Sequence, residues 1–518
     1  MTEERGEPVA VDFNEAITKV NHRGRAQYLV VLVASTTWVA NAIGFALPIF
    51  VGRSVDRVVV SCGDDAVGCN VGAHLEGNAG CDSKDTRWEF LQQGQSVVSE
   101  WSLVCDREVM RPWLGTAFFF GNLCGNLFLS PLIDRHGRVP CACIFTFLQG
   151  VFGAICALSP SFTVYLVARF GMGVAFVMAG LAAWLLSCEV TNATESSNVM
   201  IAMNSAWALG LVAIVPAALL VPLWRPLTWI HVLLSSIISC AWLVAWRWGL
   251  DSPAWLAGRG DMEGFDRTMT AISQANGTQF NRIECKGEEQ FRSYRTTTEV
   301  HTGSANRQTL MDILCTWSGA CQVLAFCLAF SACSLGYYGL AMNAGNIGDN
   351  LYVSSVLTAL AELPGVWVAK PLMDSVLLGR RGTLFLSILL SGIFCLAATT
   401  HPASSQFVVI VSIFGKTCVT TAYSVVFVHS CEAFPPQVRG VLAGVFQMVS
   451  RCAGLLIPVV VFFPHPLPYA CIGIFLMIAA FPLQVLRETR VVPESAALTM
   501  SSSQFRQVKA EHEHTSVD

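Results

Sequence analysis

Charge is what this sequence has least of. Of 518 residues only 13% are charged, where a soluble globular chain carries about 25%. Hydrophobic residues reach 53% and the mean hydropathy is +0.53, which excludes an ordinary soluble domain. A basic excess is also missing: 32 Lys and Arg against 36 Asp and Glu leave a net charge of −4, with no electrostatic footprint for nucleic acid. The short alternating dyads of a membrane β-barrel are absent, and the apolar runs are instead about 20 residues long, the length of a spanning helix. No cleavable leader is expected, because Met1 to Asn21 is polar and no apolar core begins before Tyr28. Catalytic signatures are lacking too. No His-Glu-x-x-His or Gly-x-Ser-x-Gly occurs, and Gly415-Lys416-Thr417 is not the end of a phosphate loop, since Ile410 stands where that loop needs glycine. Neither an enzyme nor a bound cofactor or metal is expected.

What is present is a series of twelve apolar spans near 27–50, 112–132, 139–159, 162–187, 199–221, 227–248, 313–336, 350–372, 382–399, 405–429, 440–462 and 467–486. This is the pattern of an all-α membrane protein. Two long polar segments interrupt it, at 51–111 and 249–312. Arg23, Arg25, Arg135, Arg138, Arg380, Arg381, Arg439, Arg487 and Arg490 flank alternate connections, while the opposite short loops hold only Arg225. Basic residues stay in the cytoplasm, so both termini are expected there, with 51–111 outside. The expected organisation is a cytoplasmic N-terminus (1–26), six spans (27–248, including the outer loop 51–111), a cytoplasmic connector (249–312), six spans (313–486) and a disordered tail (487–518). Six spans, a connector and six spans is the layout of a two-halved secondary transporter. Asn192-Ala-Thr and Asn276-Gly-Thr fall on the cytoplasmic side and are read as unglycosylated. Of 20 cysteines, Cys62, Cys69, Cys81 and Cys105 lie in the outer loop. An even number on an oxidising side, with no close Cys-x-x-Cys pair, favours two disulfides over zinc and leaves three connectivities open.

The turn between the second and third spans, Asp134-Arg135-His136-Gly137-Arg138, packs three charges between apolar runs, with Gly121, Gly125 and Ser130 before it. Small residues let a neighbouring helix approach, and the charges are suited to a latch. A related turn, Asp374 to Arg380 and Arg381, recurs in the second half. Gly125-x8-Asp134-Arg135-x-Gly137-Arg138 resembles the signature of the major facilitator superfamily. Further blocks are similar to its organic cation, anion and zwitterion transporters: Ser96 to Asp106, Asp251-Ser-Pro-Ala-Trp-Leu256, Tyr337-Tyr-Gly-Leu340, Gly348 to Tyr352, Glu362-Leu-Pro364, and Glu432-Ala-Phe-Pro435 with Val438-Arg439. The resemblance runs from about Asp12 to Arg487. It implies twelve helices in two halves, alternating access, and movement of small organic ions across the plasma membrane, with a coupling or exchanged counter-ion.

Charges inside spans mark substrate paths. Arg451 lies in span 11, and the resemblance implies arginine there in the organic anion and carnitine branches and aspartate in the cation carriers. Lys416 in span 10 matches a basic residue of the same branches. Together they would attract a carboxylate or sulfate, unless Arg451 is neutralised by an acid such as Glu362. Tyr337, Phe330, Trp38 and Asn41, with Glu362 and Gln447, are the other cavity candidates. Glu189, Glu432 and Arg439 are assigned to the gate with Asp134, Arg135, Arg138, Asp374, Arg380 and Arg381. Arg169 is given a coupling or a folding role. Departures stand beside these matches: Val139 replaces a basic residue, Thr191 to Ser197 lacks arginines, and the second turn is longer. They motivate one alternative, a non-transporting receptor that uses the outer loop; a second, an organic cation carrier, follows if Arg451 is neutralised structurally.

Overall fold

A backbone crossing a bilayer must bond to itself, so apolar runs of this length form helices. A computed structural model of the protein describes residues 24–53, 57–61, 74–75, 87–92, 94–191, 196–278, 310–346, 348, 350–434 and 436–489. The membrane helices are span 1 (Arg25–Val51), span 3 (Arg138–Leu158), span 4 (Phe162–Glu189), span 5 (Ser196–Leu220), span 6 (Trp224–Arg247), span 7 (Trp317–Asn343), span 9 (Gly379–Ala398), span 10 (Gln406–Ala433), span 11 (Pro436–Phe462) and span 12 (Leu467–Ala480). Two more are interrupted. Span 2 joins Trp113–Cys124 to Pro131–His136 through a π-turn at Gly125–Leu129, so no single helix of it is as long as the others. Span 8 breaks between Leu351–Leu360 and Glu362–Met373, because Pro364 has no N–H to give the carbonyl of Leu360.

The packing repeats with a period of six spans. Spans 1 and 5, 2 and 4, 3 and 4, and 3 and 6 are neighbours in the first half. Spans 7 and 11, 8 and 10, 9 and 10, and 9 and 12 are the corresponding neighbours in the second. The halves meet through spans 2 and 11 and through spans 5 and 8, which are the same pairing seen from either side. Spans 2 and 4 approach closely. A Cβ on Gly121 would stand 2.0 Å from the Phe170 carbonyl oxygen, and one on Gly173 equally close to that of Phe118.

On the face that carries the large loop, strands β1 (Arg57–Ser61), β2 (His74–Leu75) and β3 (Arg87–Phe90) form an antiparallel sheet in the order β2-β1-β3. No apolar alternation announced it. Cys105 is disulfide-bonded, and Cys62, Cys69 and Cys81 lie outside the described residues, as do the end of the connector and the tail. On the opposite face, which we call the turn face, connector helices Pro253–Arg259 and Met262–Asn276 strap the first half. Trp255 Nε1 donates to the Asp134 carbonyl (2.7 Å), Arg259 Nη1 to that of Arg135 (2.8 Å), and Asn276 accepts from Ala26 N (2.9 Å).

Candidate functional site

The two charged turns build one design twice. Arg138 holds Glu189, at the end of span 4, through Nε and Nη2, each at 2.9 Å, and holds Asp134 at 3.2 Å. In the second half Arg380 holds Glu432, near the end of span 10, at 3.0 and 3.3 Å, and Asp374 at 3.2 Å. A carboxylate at a helix C-terminus opposes the dipole, so each glutamate requires its arginine. A second layer lies behind. Asp251, just after span 6, accepts from the backbone N–H groups of Arg138 (3.0 Å) and Val139 (3.2 Å) and caps span 3. Glu488, just after span 12, accepts from those of Arg380 (2.8 Å) and Arg381 (3.0 Å) and caps span 9. The glycine at each cap is obligatory. Gly137 has φ +103° and a Cβ there would lie 2.2 Å from Asp251 Oδ2, while Gly379 has φ +61° and faces Glu488 at 2.5 Å. Burial pushes the Asp251 carboxyl up to about 6, against the pull of the backbone N–H donors on it.

Every one of these turn-face contacts stays inside its own half. Arg135 is exposed and contributes its carbonyl. Arg439 lies on span 11 among residues whose side chains are not described. Glu488 escaped the sequence reading; the signal available was an acid just past span 12, matching Asp251 just past span 6.

Between the halves lies a cavity of about 260 Å³ lined by Trp38, Asn41, Tyr337, Glu362, Gln447 and Arg451, among others. Trp184 and Phe427 also line it, close to where spans 4 and 10 end, so the cavity reaches into the turn-face half. Toward the loop face Phe45, Phe119 and Tyr338 close it, with ring centroids 5.2 to 6.1 Å apart. One wall is aromatic. Trp38 lies 5.9 Å from Trp184 and 6.0 Å from Trp207, and Tyr337 and Tyr423 face them from the second half. The sequence reading did not single out Trp184 or Trp207; for Trp207 the mid-span position was the available clue.

The intramembrane charges sort into two kinds. Lys416 is fully buried and ion-paired with Glu362 at 2.9 Å. The same carboxylate accepts from the Tyr337 hydroxyl at 2.6 Å, and Lys416 Nζ donates to the Tyr337 carbonyl at 2.8 Å. Glu362 is thus taken by Lys416, not by Arg451. Arg451 has only the Tyr338 hydroxyl, 3.5 Å from Nη1, and its Nε is buried without a partner. Among the described residues no carboxylate lies within ion-pair distance of it. Phe330 packs in the core against Phe427 and Phe446 rather than on the cavity. Arg169 is 1% exposed and ties three helices together, donating to the carbonyls of Gly44 in span 1 (3.1 Å) and Leu114 in span 2 (3.4 Å) from span 4.

Two six-helix halves, related by one packing pattern and enclosing a central cavity, have the architecture of a membrane transporter. Residues 112–458 match the family model described as Major Facilitator Superfamily. The chain belongs to the major facilitator superfamily. Among curated proteins it is 26% identical to solute carrier family 22 member 16 of Xenopus laevis, over 78% of this chain and 70% of that one. It is equally identical to human organic anion transporter 3 (72% and 67%) and to a Drosophila melanogaster organic cation transporter protein (77% and 73%). Among solved structures, the partially occluded inward-open xylose transporter XylE of E. coli superposes with TM-score 0.63 over 90% of this chain and 99% of that one, at 12% identity, which is a likeness of fold.

Proposed function

We propose that the protein carries small organic anions or zwitterions across the plasma membrane by alternating access, with the turn face and both termini in the cytoplasm. Relatedness does not choose between anion and cation, since an anion and a cation carrier are equally similar. The observation that carries the reading is Arg451. A guanidinium held in low dielectric without a counter-charge costs several kcal/mol, and a substrate carboxylate or sulfate reaching it from the cavity removes that cost and adds charge-assisted hydrogen bonds. Lys416 does not supply the attraction, because Glu362 neutralises it. It instead fixes Tyr337 in the cavity wall.

The aromatic wall supports a second element of the substrate. Trp38 and Trp207 keep buried indole N–H groups without partners, and their ring faces suit an aryl group or an ammonium. A zwitterion satisfies both walls at once. A purely cationic substrate would gain the wall and face Arg451 unfavourably. The paired turns in each half are rigid struts of the rocking units, with Asp134, Arg138, Glu189, Asp374, Arg380 and Glu432 in that role. The test is uptake of labelled carboxylates, carnitine and tetraalkylammonium ions, with and without sodium and at two external pH values. Carboxylate or carnitine uptake supports the reading, and tetraalkylammonium uptake alone overturns it.

A further inference from the structure

Among the described residues, a single side-chain hydrogen bond crosses from one half to the other. Arg53, just past span 1, donates through Nη1 to the Tyr352 hydroxyl at the start of span 8, at 2.6 Å. Its Nη2 reaches the Pro222 carbonyl at 3.3 Å. The Phe50 ring, also from span 1, stacks on Tyr352 with centroids 6.1 Å apart and planes 19° from parallel. All of this lies at the loop face, where spans 5 and 8 bring the halves together. At the turn face no described side-chain hydrogen bond crosses.

The link stands beside two hollows that share lining residues with one another and with the central cavity. Outside it is a depression of about 370 Å³ lined by Arg53, Arg111, Ile49 and Leu351. Below it is a constriction of about 20 Å³ lined by Ile49, Phe50, Thr358 and Glu362, room for about one water. Glu362 also lines the central cavity. Ile49 lines both the depression and the constriction, and Glu362 lines both the constriction and the cavity. The depression is cationic. Arg111 has Glu108 at 3.4 Å, whereas among the described residues Arg53 has only a phenol and a carbonyl. A neutral phenol oxygen is the weaker acceptor for a guanidinium, and an anion displaces it.

We propose that Arg53 and Tyr352 form an extracellular gate, shut in this conformation, which opens when a monovalent anion from the outer solution, organic carboxylate or halide, takes Arg53 from Tyr352. The gate itself does not depend on the substrate's charge; its opening by anions rests on the anionic reading above.

The test uses full-length protein at the cell surface, its amount fixed by biotinylation. Asn204 lines the cavity, and Asn204→Cys is labelled from outside with an impermeant thiol reagent, against the same protein without that cysteine. In gluconate medium the label is expected to enter slowly with Arg53 and Tyr352 intact, and several-fold faster with Tyr352→Phe, which keeps the stacked ring and loses the hydroxyl. Benzoate or chloride is expected to speed labelling of the intact gate, to do so with Arg53→Lys, and to fail with Arg53→Gln. The benzoate and chloride arms tell an organic carboxylate from a halide as the opening ion. Labelling of Tyr352→Phe at the intact rate overturns the gate, whatever the substrate. A fast Tyr352→Phe with no anion effect in the intact gate overturns anion opening alone. Repeating the benzoate arm with Arg451→Gln separates the sites: persistence supports Arg53, and loss returns the effect to the cavity.

Discussion

Two intramembrane cations in the second half, one fully buried and one half-buried on the cavity, have opposite surroundings, and their proposed roles follow. Lys416 and Glu362 meet at 2.9 Å, both buried. Such a pair is weak evidence of net stabilisation, yet removing one partner leaves a bare charge and costs about 3–5 kcal/mol. Lys416→Met is therefore expected to lower the thermal unfolding midpoint strongly, and adding Glu362→Gln to recover much of the loss; a double variant as unstable as the single would refute the pairing. Arg451 has no such partner, and its substitution is expected to cost transport rather than folding. That Arg451 would face a cavity or a partner was legible, because a lone arginine in an apolar run has few explanations. The partner of Lys416 was not. It lies on another helix, and which acid faces which base is decided by the rotation of spans 8 and 10, information carried by packing and not by spacing.

Helices here are joined by devices that local sequence hides. The second charged turn looks unlike the first, yet Arg380, Asp374, Glu432 and Glu488 reproduce the arrangement of Arg138, Asp134, Glu189 and Asp251. Asp251 gives this layer a pH dependence. Its folded value of about 6 lies above the reference of 3.8, so the native state binds the extra proton between them. Its contribution to stability is full below about 4 and is lost as pH rises through about 6. Asp251→Asn retains a capping side chain without a buried charge. Thermal midpoints in detergent at pH 5 and 7 are expected to differ less for this variant than for the parent, and an unchanged difference would count against a titrating Asp251. Close approach is testable as well. Gly121→Ala and Gly173→Ala place a methyl against backbone and are expected to reduce folded protein at the surface. Gly444, with nothing within 4 Å of its Cβ position, is expected to tolerate alanine or gain up to about 1 kcal/mol. Equal losses at all three would contradict the packing of spans 2 and 4.

The whole molecule is a pair of braced units with a cavity between them and few ties across. Span number, the central connector and the two-halved plan were legible from apolar length and the positions of arginine. The small sheet in the outer loop was not, since its strands are too short to show a period. The thinning of gate charges that motivated a receptor reading concerns the loop after span 4 and Val139, and both struts are nevertheless paired through Glu189 and Glu432. With the struts internal to each half, the side-chain ties between the halves among the described residues include Arg53 with Tyr352 and the aromatic roof of Phe45, Phe119 and Tyr338. On the proposed reading, the bound substrate bridges what remains, from the tryptophan wall of the first half to Arg451 in the second.

Arg451 is thus where the account is most exposed. Uptake of a labelled aryl carboxylate should be measured for the parent, Arg451→Lys and Arg451→Asp at matched surface density. The expected result is a fall in kcat/KM on the order of 100-fold for aspartate, a partial loss for lysine, and a gain in tetraalkylammonium uptake with aspartate alone. Carboxylate uptake by Arg451→Asp equal to the parent would contradict it.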